Sequence, residues 1–258
     1  MHAYLAEFIG TALLILLGNG VVANVVLPQT KGHARGWIVI SFGWAMAVFV
    51  AVWCTAAASG AHLNPAVTIG LVAAGKFAAE NAMPYIIAQF AGAIFGATLV
   101  YVFYRDHYSV SDDPGAKLAT FATGPAIRRT SSNLFSEVVG TFVLVFAVLL
   151  ATDPTILVAN ETTGLFEPGA EKVGLGALGA LPVGLLVLAI GLSLGGTTGY
   201  AINPARDFGP RIAHALLPVP GKGDGDWSYA WIPVVGPFIG ALLAAAAFAG
   251  MQMVETAS

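Results

Sequence analysis

The side chains in this chain that could do chemistry are few and recur in pairs. Asn64 and Asn203 each head an Asn-Pro-Ala triplet, Asn64-Pro65-Ala66 and Asn203-Pro204-Ala205, and Glu7 and Glu137 each open a similar apolar run. His62 precedes the first triplet, and Arg206 and Asp207 follow the second. An Asn amide can donate to a passing oxygen, and a buried carboxylate must either carry a proton or accept hydrogen bonds. No nucleophile stands with a convergent base, and His62 has no second metal ligand at a usable spacing. The expected chemistry is therefore reversible hydrogen bonding to a solute, without catalysis, metal or cofactor.

The triplets say how such side chains are held. Proline loses nothing at the first position of a helix, and Asn is a preferred cap before it, so Pro65 and Pro204 mark helix starts. Both lie in stretches apolar enough for a bilayer but wrongly sized to cross it whole. A helix that begins at mid-depth leaves backbone polar groups that hydrocarbon cannot satisfy, so it must line a polar cavity.

Of the 258 residues, 57% are hydrophobic and 10% charged, and mean hydropathy is +0.79, against about 25% charge in an ordinary soluble domain. This is the composition of an integral membrane protein. A net charge of −3 argues against nucleic acid. The single cysteine, Cys54, lies in an apolar run as a small lipid-facing or packed residue. The length accommodates about six spans of ~20 residues and no separate soluble domain. The first apolar stretch, Phe8 to Gln29, lacks a basic leader and reads as a retained span. Ala82 to Tyr104, Leu134 to Thr152 and Tyr229 to Val254 each fit one crossing. Residues 36–75 carry no charge and fit one full helix, Trp37 to about Thr55, plus a half-helix. Val173 to Ala205 repeats that pattern around the breaker Gly195-Gly196-Thr197-Thr198-Gly199.

The halves also match where they begin, at Glu7-Phe8-Ile9-Gly10-Thr11 and Glu137-Val138-Val139-Gly140-Thr141. Three spans separate the copies, so the second enters from the opposite face. The expected fold is an all-α membrane protein: six transmembrane helices plus two half-helices in an inverted repeat around one pore. It forms a single channel domain over residues 1–258, with repeat one about 1–105 and repeat two about 132–258. The half-helix amino ends then meet near the midplane. Each brings about half a positive charge, repelling cations while donating to a neutral hydroxylic solute. Broken segments at matching places in two halves mark a transport site.

Ser59-Gly60-Ala61-His62-Leu63-Asn64-Pro65-Ala66-Val67-Thr68 and Asn203-Pro204-Ala205-Arg206-Asp207-Phe208-Gly209-Pro210-Arg211 resemble the two signature loops of the major intrinsic protein family, the aquaporins and glycerol facilitators. Gln89-Phe90-Ala91-Gly92-Ala93 and Pro233-Val234-Val235-Gly236-Pro237 extend the likeness over essentially the whole chain. In aquaporin-type pores generally, selectivity comes from diameter, lining donors, and an Arg or half-helix dipoles. Asp207, Arg211 and Pro233 before an aliphatic residue resemble the glycerol-conducting branch. The resemblance places a narrow filter at Trp44, Gly191, Tyr200 and Arg206. Gly191 stands where water filters carry histidine, implying a wider constriction. Tyr200 stands where glycerol facilitators usually carry Phe, and its hydroxyl could point into the pore or toward the loops. The rest of the implied lining is Asn64, Asn203, Gly60, Ala61, His62, Gly199 and Ala201. Structural support falls to Glu7, Glu137, Asp207, Pro65 and Pro204.

The implied function is passive passage of glycerol, small neutral solutes and water, with ions and protons excluded. Alternatives within the architecture are a water-selective channel or one for protonated organic acids such as lactic acid. A proton-coupled transporter would use Glu7 and Glu137 as proton carriers, whereas buried carboxylates can simply brace the loops. Arg206, costing at least about 2.5–3.5 kcal/mol inside a span, could instead snorkel or pair with Asp207. Gly174 to Gly179 reads as close helix packing, since no Lys-Ser/Thr follows for a nucleotide loop. Asn160-Glu161-Thr162 is a sequon by chance as easily as by use. The resemblance also implies a homotetramer in a cell membrane with both termini cytoplasmic, and Gly92, Ala93, Gly96, Gly236 and Gly240 permit tight helix contacts. Lysine and arginine counting predicts the reverse orientation, because that topology leaves only Lys76 and Lys172 inside.

Overall fold

The computed structural model describes residues 1–152, 155–159 and 172–257. Its helices are α1 (Ala3–Val26), α2 (Trp37–Ser59), α3 (Pro65–Ala73), α4 (Ala82–Phe103), α5 (Arg105–Ser109), α6 (Pro114–Ala119), α7 (Thr130–Leu150), α8 (Leu181–Ser193), α9 (Pro204–Leu216) and α10 (Ile232–Ala257). A two-stranded antiparallel ribbon, β1 (Thr155–Leu157) with β2 (Lys172–Gly174), follows α7 and pairs Ile156 with Val173. Among the described residues, six segments are long and apolar enough to cross a membrane: α1, α2, α4, α7, α8 with the turn before it, and α10.

Several ends differ from the apolar runs that announce them. Helix α1 begins at Ala3, ahead of Phe8, because the His2 ring caps Tyr4 N and Glu7 is buried within the span. Helix α7 begins at Thr130, ahead of Leu134, with Asn133 Oδ1 accepting from Arg129 N. The first turn of α7, Thr130-Ser131-Ser132-Asn133, is too polar for hydropathy to register, whereas that of α1 is apolar and is set apart from the longer run only by Glu7. Helix α2 continues past Thr55 to Ser59, where Gly60 closes it in a left-handed conformation as glycine does at many helix ends. Helix α10 starts at Ile232, because the residues before it are taken up by a turn over 227–231.

The two halves pack alike. Helix α1 lies along α4, and α7 along α10. A Cβ at Gly92 would collide with the Phe8 carbonyl, and one at Gly96 would stand 2.5 Å from the Ala12 carbonyl. In the second half, Gly240 meets the Val138 carbonyl and Gly236 would approach Glu137 Cβ to 2.6 Å. The small residues expected to allow tight contacts thus do so within the subunit. Helix α2 packs on α8 and α1, while α3 reaches across to α10 and α9 to α4, where Gly209 meets Ala93. Outward faces carry apolar side chains such as Met83, Ile87, Phe103 and Phe135.

Gly174 and Gly176 do not serve close helix packing. A Cβ at Gly174 or Gly176 would meet nothing within 4 Å, and Gly176 takes φ +55° to enter a 3-10 turn before α8. The sequon at Asn160 lies outside the described residues.

Candidate functional site

Helices α3 and α9 start where the sequence puts them. Asn64 Oδ1 accepts from Ala66 N at 2.8 Å, and Asn203 Oδ1 accepts from Ala205 N at 3.0 Å and Arg206 N at 3.2 Å. The amide nitrogens then cross between halves: Asn64 Nδ2 donates to the Ile202 carbonyl and Asn203 Nδ2 to the Leu63 carbonyl, both at 2.8 Å. Each amide nitrogen has two protons, so one remains for a solute.

The strands leading into the two helices share one unusual backbone. Gly60, Ala61 and Leu63 have φ of 78°, 49° and 51°, and Gly199, Tyr200 and Ile202 have 82°, 39° and 43°. Left-handed non-glycine residues cost energy and persist only when their surroundings over-determine them. Two carboxylates do that here. Glu7 Oε1 accepts from Ser59 Oγ at 2.6 Å and His62 N at 3.0 Å, and its Oε2 from Leu63 N and Gln89 Nε2, both at 2.7 Å. Glu137 Oε1 accepts from Thr198 Oγ1 at 2.7 Å and Ala201 N at 3.0 Å, and its Oε2 from Ile202 N at 2.8 Å. Amides are thereby drawn to one side. The carbonyls of Gly60, Ala61, His62, Tyr200 and Ala201 accept no protein hydrogen bond among the described residues, and these residues line a cavity.

That cavity, of about 360 Å³, also takes in Asn64, Asn203, Trp44, Arg206 and an apolar wall including Leu14, Val48, Val52, Leu144 and Val187. A second cavity of about 200 Å³, reached by Gly199 and by Ala122 and Thr123 of the 104–129 loop, shares Trp44, Tyr200 and Arg206 with the first. Those three residues border both spaces, at a place termed the neck. The Arg206 guanidinium lies over the Trp44 ring, 4.0 Å from its centroid, within cation–π range.

Gly191 lines neither cavity. A Cβ there would stand 2.9 Å from Tyr200 Cζ and 3.0 Å from its Oη, so the room left by the missing side chain is filled by tyrosine and does not widen the neck directly. The Tyr200 hydroxyl sits in this notch beside Ser41, and neither hydroxyl has a hydrogen-bond partner among the described residues. Trp37 closes the notch, donating from Nε1 to the Gly191 carbonyl at 2.8 Å and meeting the Tyr200 ring edge-on.

Arg206 does not pair with Asp207. Asp207 is bound instead by Arg211, whose Nε and Nη2 donate to Oδ1 at 3.0 and 2.8 Å, and by Thr123 N and Oγ1 on Oδ2 at 2.7 and 2.6 Å. Arg211 also donates to the Thr123, Gly225 and Asp226 carbonyls, locking the 104–129 loop over α9. Lys222 Nζ covers the carbonyls of His214, Ala215 and Leu217 at the far end of α9. The His62 ring bonds Thr68 Oγ1 at 3.1 Å and packs between Phe77 and Tyr85, tying the first loop down. Outside the spans, burial pushes the Tyr108 and Tyr229 phenols up, so both stay neutral beneath the loops.

Some supporting residues are visible only in three dimensions. A Cβ at Gly18 would enter the Trp44 ring, one at Gly10 would stand 2.5 Å from Leu63 Cδ2, and one at Gly140 would stand 3.0 Å from Ile202 Cγ2. The repeated Glu-x-x-Gly-Thr therefore carries both the brace and the space for the residue it braces. Its recurrence was the signal for Gly10 and Gly140; Gly18, Thr123 and Arg211's carbonyl partners leave no such mark.

Residues 1–248 match the family model described as Major intrinsic protein. The chain is 54% identical over 248 residues to the glycerol uptake facilitator protein of Streptococcus pneumoniae, covering 96% of this chain and 98% of that one. It is 50% identical over 240 residues to the glycerol uptake facilitator protein of Bacillus subtilis, covering 93% and 81%. Among solved structures, the aquaglyceroporin from Plasmodium falciparum aligns with a TM-score of 0.75 at 31% identity, over 94% of this chain and 93% of that one.

Proposed function

The chain belongs to the major intrinsic protein family, and from that premise we propose that it is a passive channel for glycerol and other small neutral solutes, with water following and ions and protons excluded. The observation that carries the proposal is the neck of Trp44, Tyr200 and Arg206 shared by two cavities, continued by both Asn amides and a row of unpaired carbonyls. One wall is apolar and the other donates and accepts. A polyol fits such a path, turning its CH edge to the aromatic and aliphatic side and its hydroxyls to Arg206, Asn64 and Asn203. Water passes by the same partners. A cation would lose hydration and face the amino ends of α3 and α9.

In this reading Trp44, Tyr200 and Arg206 form the filter, with Gly191 setting where Tyr200 lies. Gly60, Ala61, His62, Gly199 and Ala201 supply lining. Glu7 and Glu137 are braces rather than proton carriers, because the oxygens of each are occupied by donors of the loop it faces. Asp207, Pro65 and Pro204 hold the half-helices. The domain is a single channel unit of two repeats, about 1–105 and 132–258. The multi-pass protein resides in the cell membrane as a homotetramer with cytoplasmic termini. Since the small residues of α4 and α10 are spent within the subunit, tetramer contacts fall on other faces. Accessibility of a carboxyl-terminal tag tests the orientation.

Stopped-flow light scattering of proteoliposomes tests the function. In an inward glycerol gradient, swelling is fast and weakly temperature dependent. Permeability no greater than that of empty vesicles rejects the proposal, and a panel of water, urea and protonated lactic acid ranks the alternatives.

A further inference from the structure

Asn19 is a fully buried amide in the second half of α1, flanked by Gly18 and Gly20. A polar side chain held at that depth needs partners on both its nitrogen and its oxygen. Its Nδ2 donates to the Phe121 carbonyl at 3.1 Å, in the loop that covers the far side of the neck. Its Oδ1 accepts from Arg206 Nη1 at 3.5 Å. The orientation is dictated by chemistry, since a carbonyl can only accept and a guanidinium can only donate. Among the described residues this is the one protein hydrogen bond of the Arg206 guanidinium, which also lies over the face of Trp44. Gly18, one residue earlier, makes room for that same Trp44 ring. Two adjacent positions of α1 thus set both partners of the guanidinium.

We propose that Asn19 is a positioning residue for Arg206: it fixes the plane of the guanidinium, and so which N–H groups face the neck, and ties that plane to the 104–129 loop through Phe121. This rests on the reading of the neck as the solute filter. The consequence is selectivity and not capacity. A polyol uses two or more directed donors at once, whereas a water molecule is served by any one, so misplacing the guanidinium lowers glycerol passage more than water passage.

A double-substitution cycle in proteoliposomes tests it, reading glycerol and water permeability in the same vesicles. Asn19→Leu is expected to lower the glycerol-to-water ratio by about threefold or more, and in an Arg206→Ala background the same change should move the ratio little, as expected for residues that couple. Asn19→Asp, which keeps an oxygen toward Arg206, should recover part of the ratio. If Asn19→Leu does not fold, the cycle is run with Asn19→Asp, whose shift must likewise vanish without Arg206. A shift that is equal in both backgrounds, or no shift from either variant, overturns the role of Asn19. An unsubstituted channel that fails to pass glycerol would instead reject the filter reading itself.

Discussion

Gly191 and Tyr200 occupy one volume: the Cβ that Gly191 lacks would stand 2.9 Å from Tyr200 Cζ and 3.0 Å from its Oη. The width of the neck is therefore set at one remove. Overpacking of this kind costs about 1–3 kcal/mol, and here the easiest relief is for the tyrosine to swing toward Trp44 and Arg206. Gly191→Ala is expected to reduce glycerol permeability about tenfold, the equivalent of 1.4 kcal/mol, while water permeability falls less. An unchanged glycerol-to-water ratio in stopped-flow swelling would refute the shared volume.

The Tyr200 hydroxyl is buried without a hydrogen-bond partner. Removing an unsatisfied buried polar atom is neutral or stabilising. Tyr200→Phe should leave the glycerol-to-water ratio within about twofold and thermal stability equal or raised by up to about 1 kcal/mol. A large ratio change would mean that the hydroxyl faces the solute and not the notch beside Ser41.

Glu7 accepts four hydrogen bonds and Glu137 three. A glutamine in either place turns an NH₂ group toward donors. Glu7→Gln and Glu137→Gln should each destabilise the protein by about 3 kcal/mol, read as a lowered melting temperature in detergent. Protein that does fold should conduct without any dependence on a pH gradient. Loss of transport with full stability would point to proton carriage.

Arg211 is fully buried and reaches Asp207 together with three loop carbonyls. Arg211→Ala leaves Asp207 as an unpaired buried charge, a loss of about 3–5 kcal/mol. Arg211→Lys should recover only part of this, because an ammonium cannot reproduce the planar fork. Thermal unfolding of the three proteins checks the order, and equal stability of Ala and Arg variants would contradict it.

What was legible beforehand is what obeys local rules. Pro65 and Pro204 behind capping asparagines mark helix starts wherever they occur, and the repeated Glu-x-x-Gly-Thr exposes the duplication. The helix ends at Ala3 and Thr130 were not legible, because Glu7 interrupts the first apolar run and Thr130-Ser131-Ser132-Asn133 opens α7 with polar residues, and the capping and tertiary contacts that satisfy these groups are not measured by hydropathy. Nor were the partnerships around the neck. Thr123 meets Asp207 across 84 residues and Asn19 meets Arg206 across 187, and no periodicity encodes such pairs. The separation of Arg206 from Asp207 has the same origin: adjacent in sequence, they leave α9 in different directions, and Arg211 four residues on shares the face of Asp207.

The central claim is passage without energy coupling through a neck lined by Trp44, Tyr200 and Arg206. Its most direct test is the steady-state distribution of labelled glycerol across proteoliposomes under an imposed pH gradient and, separately, a membrane potential. The two sides should reach equal concentration, at a rate far above empty vesicles and indifferent to either gradient. Accumulation of glycerol on one side would contradict the account.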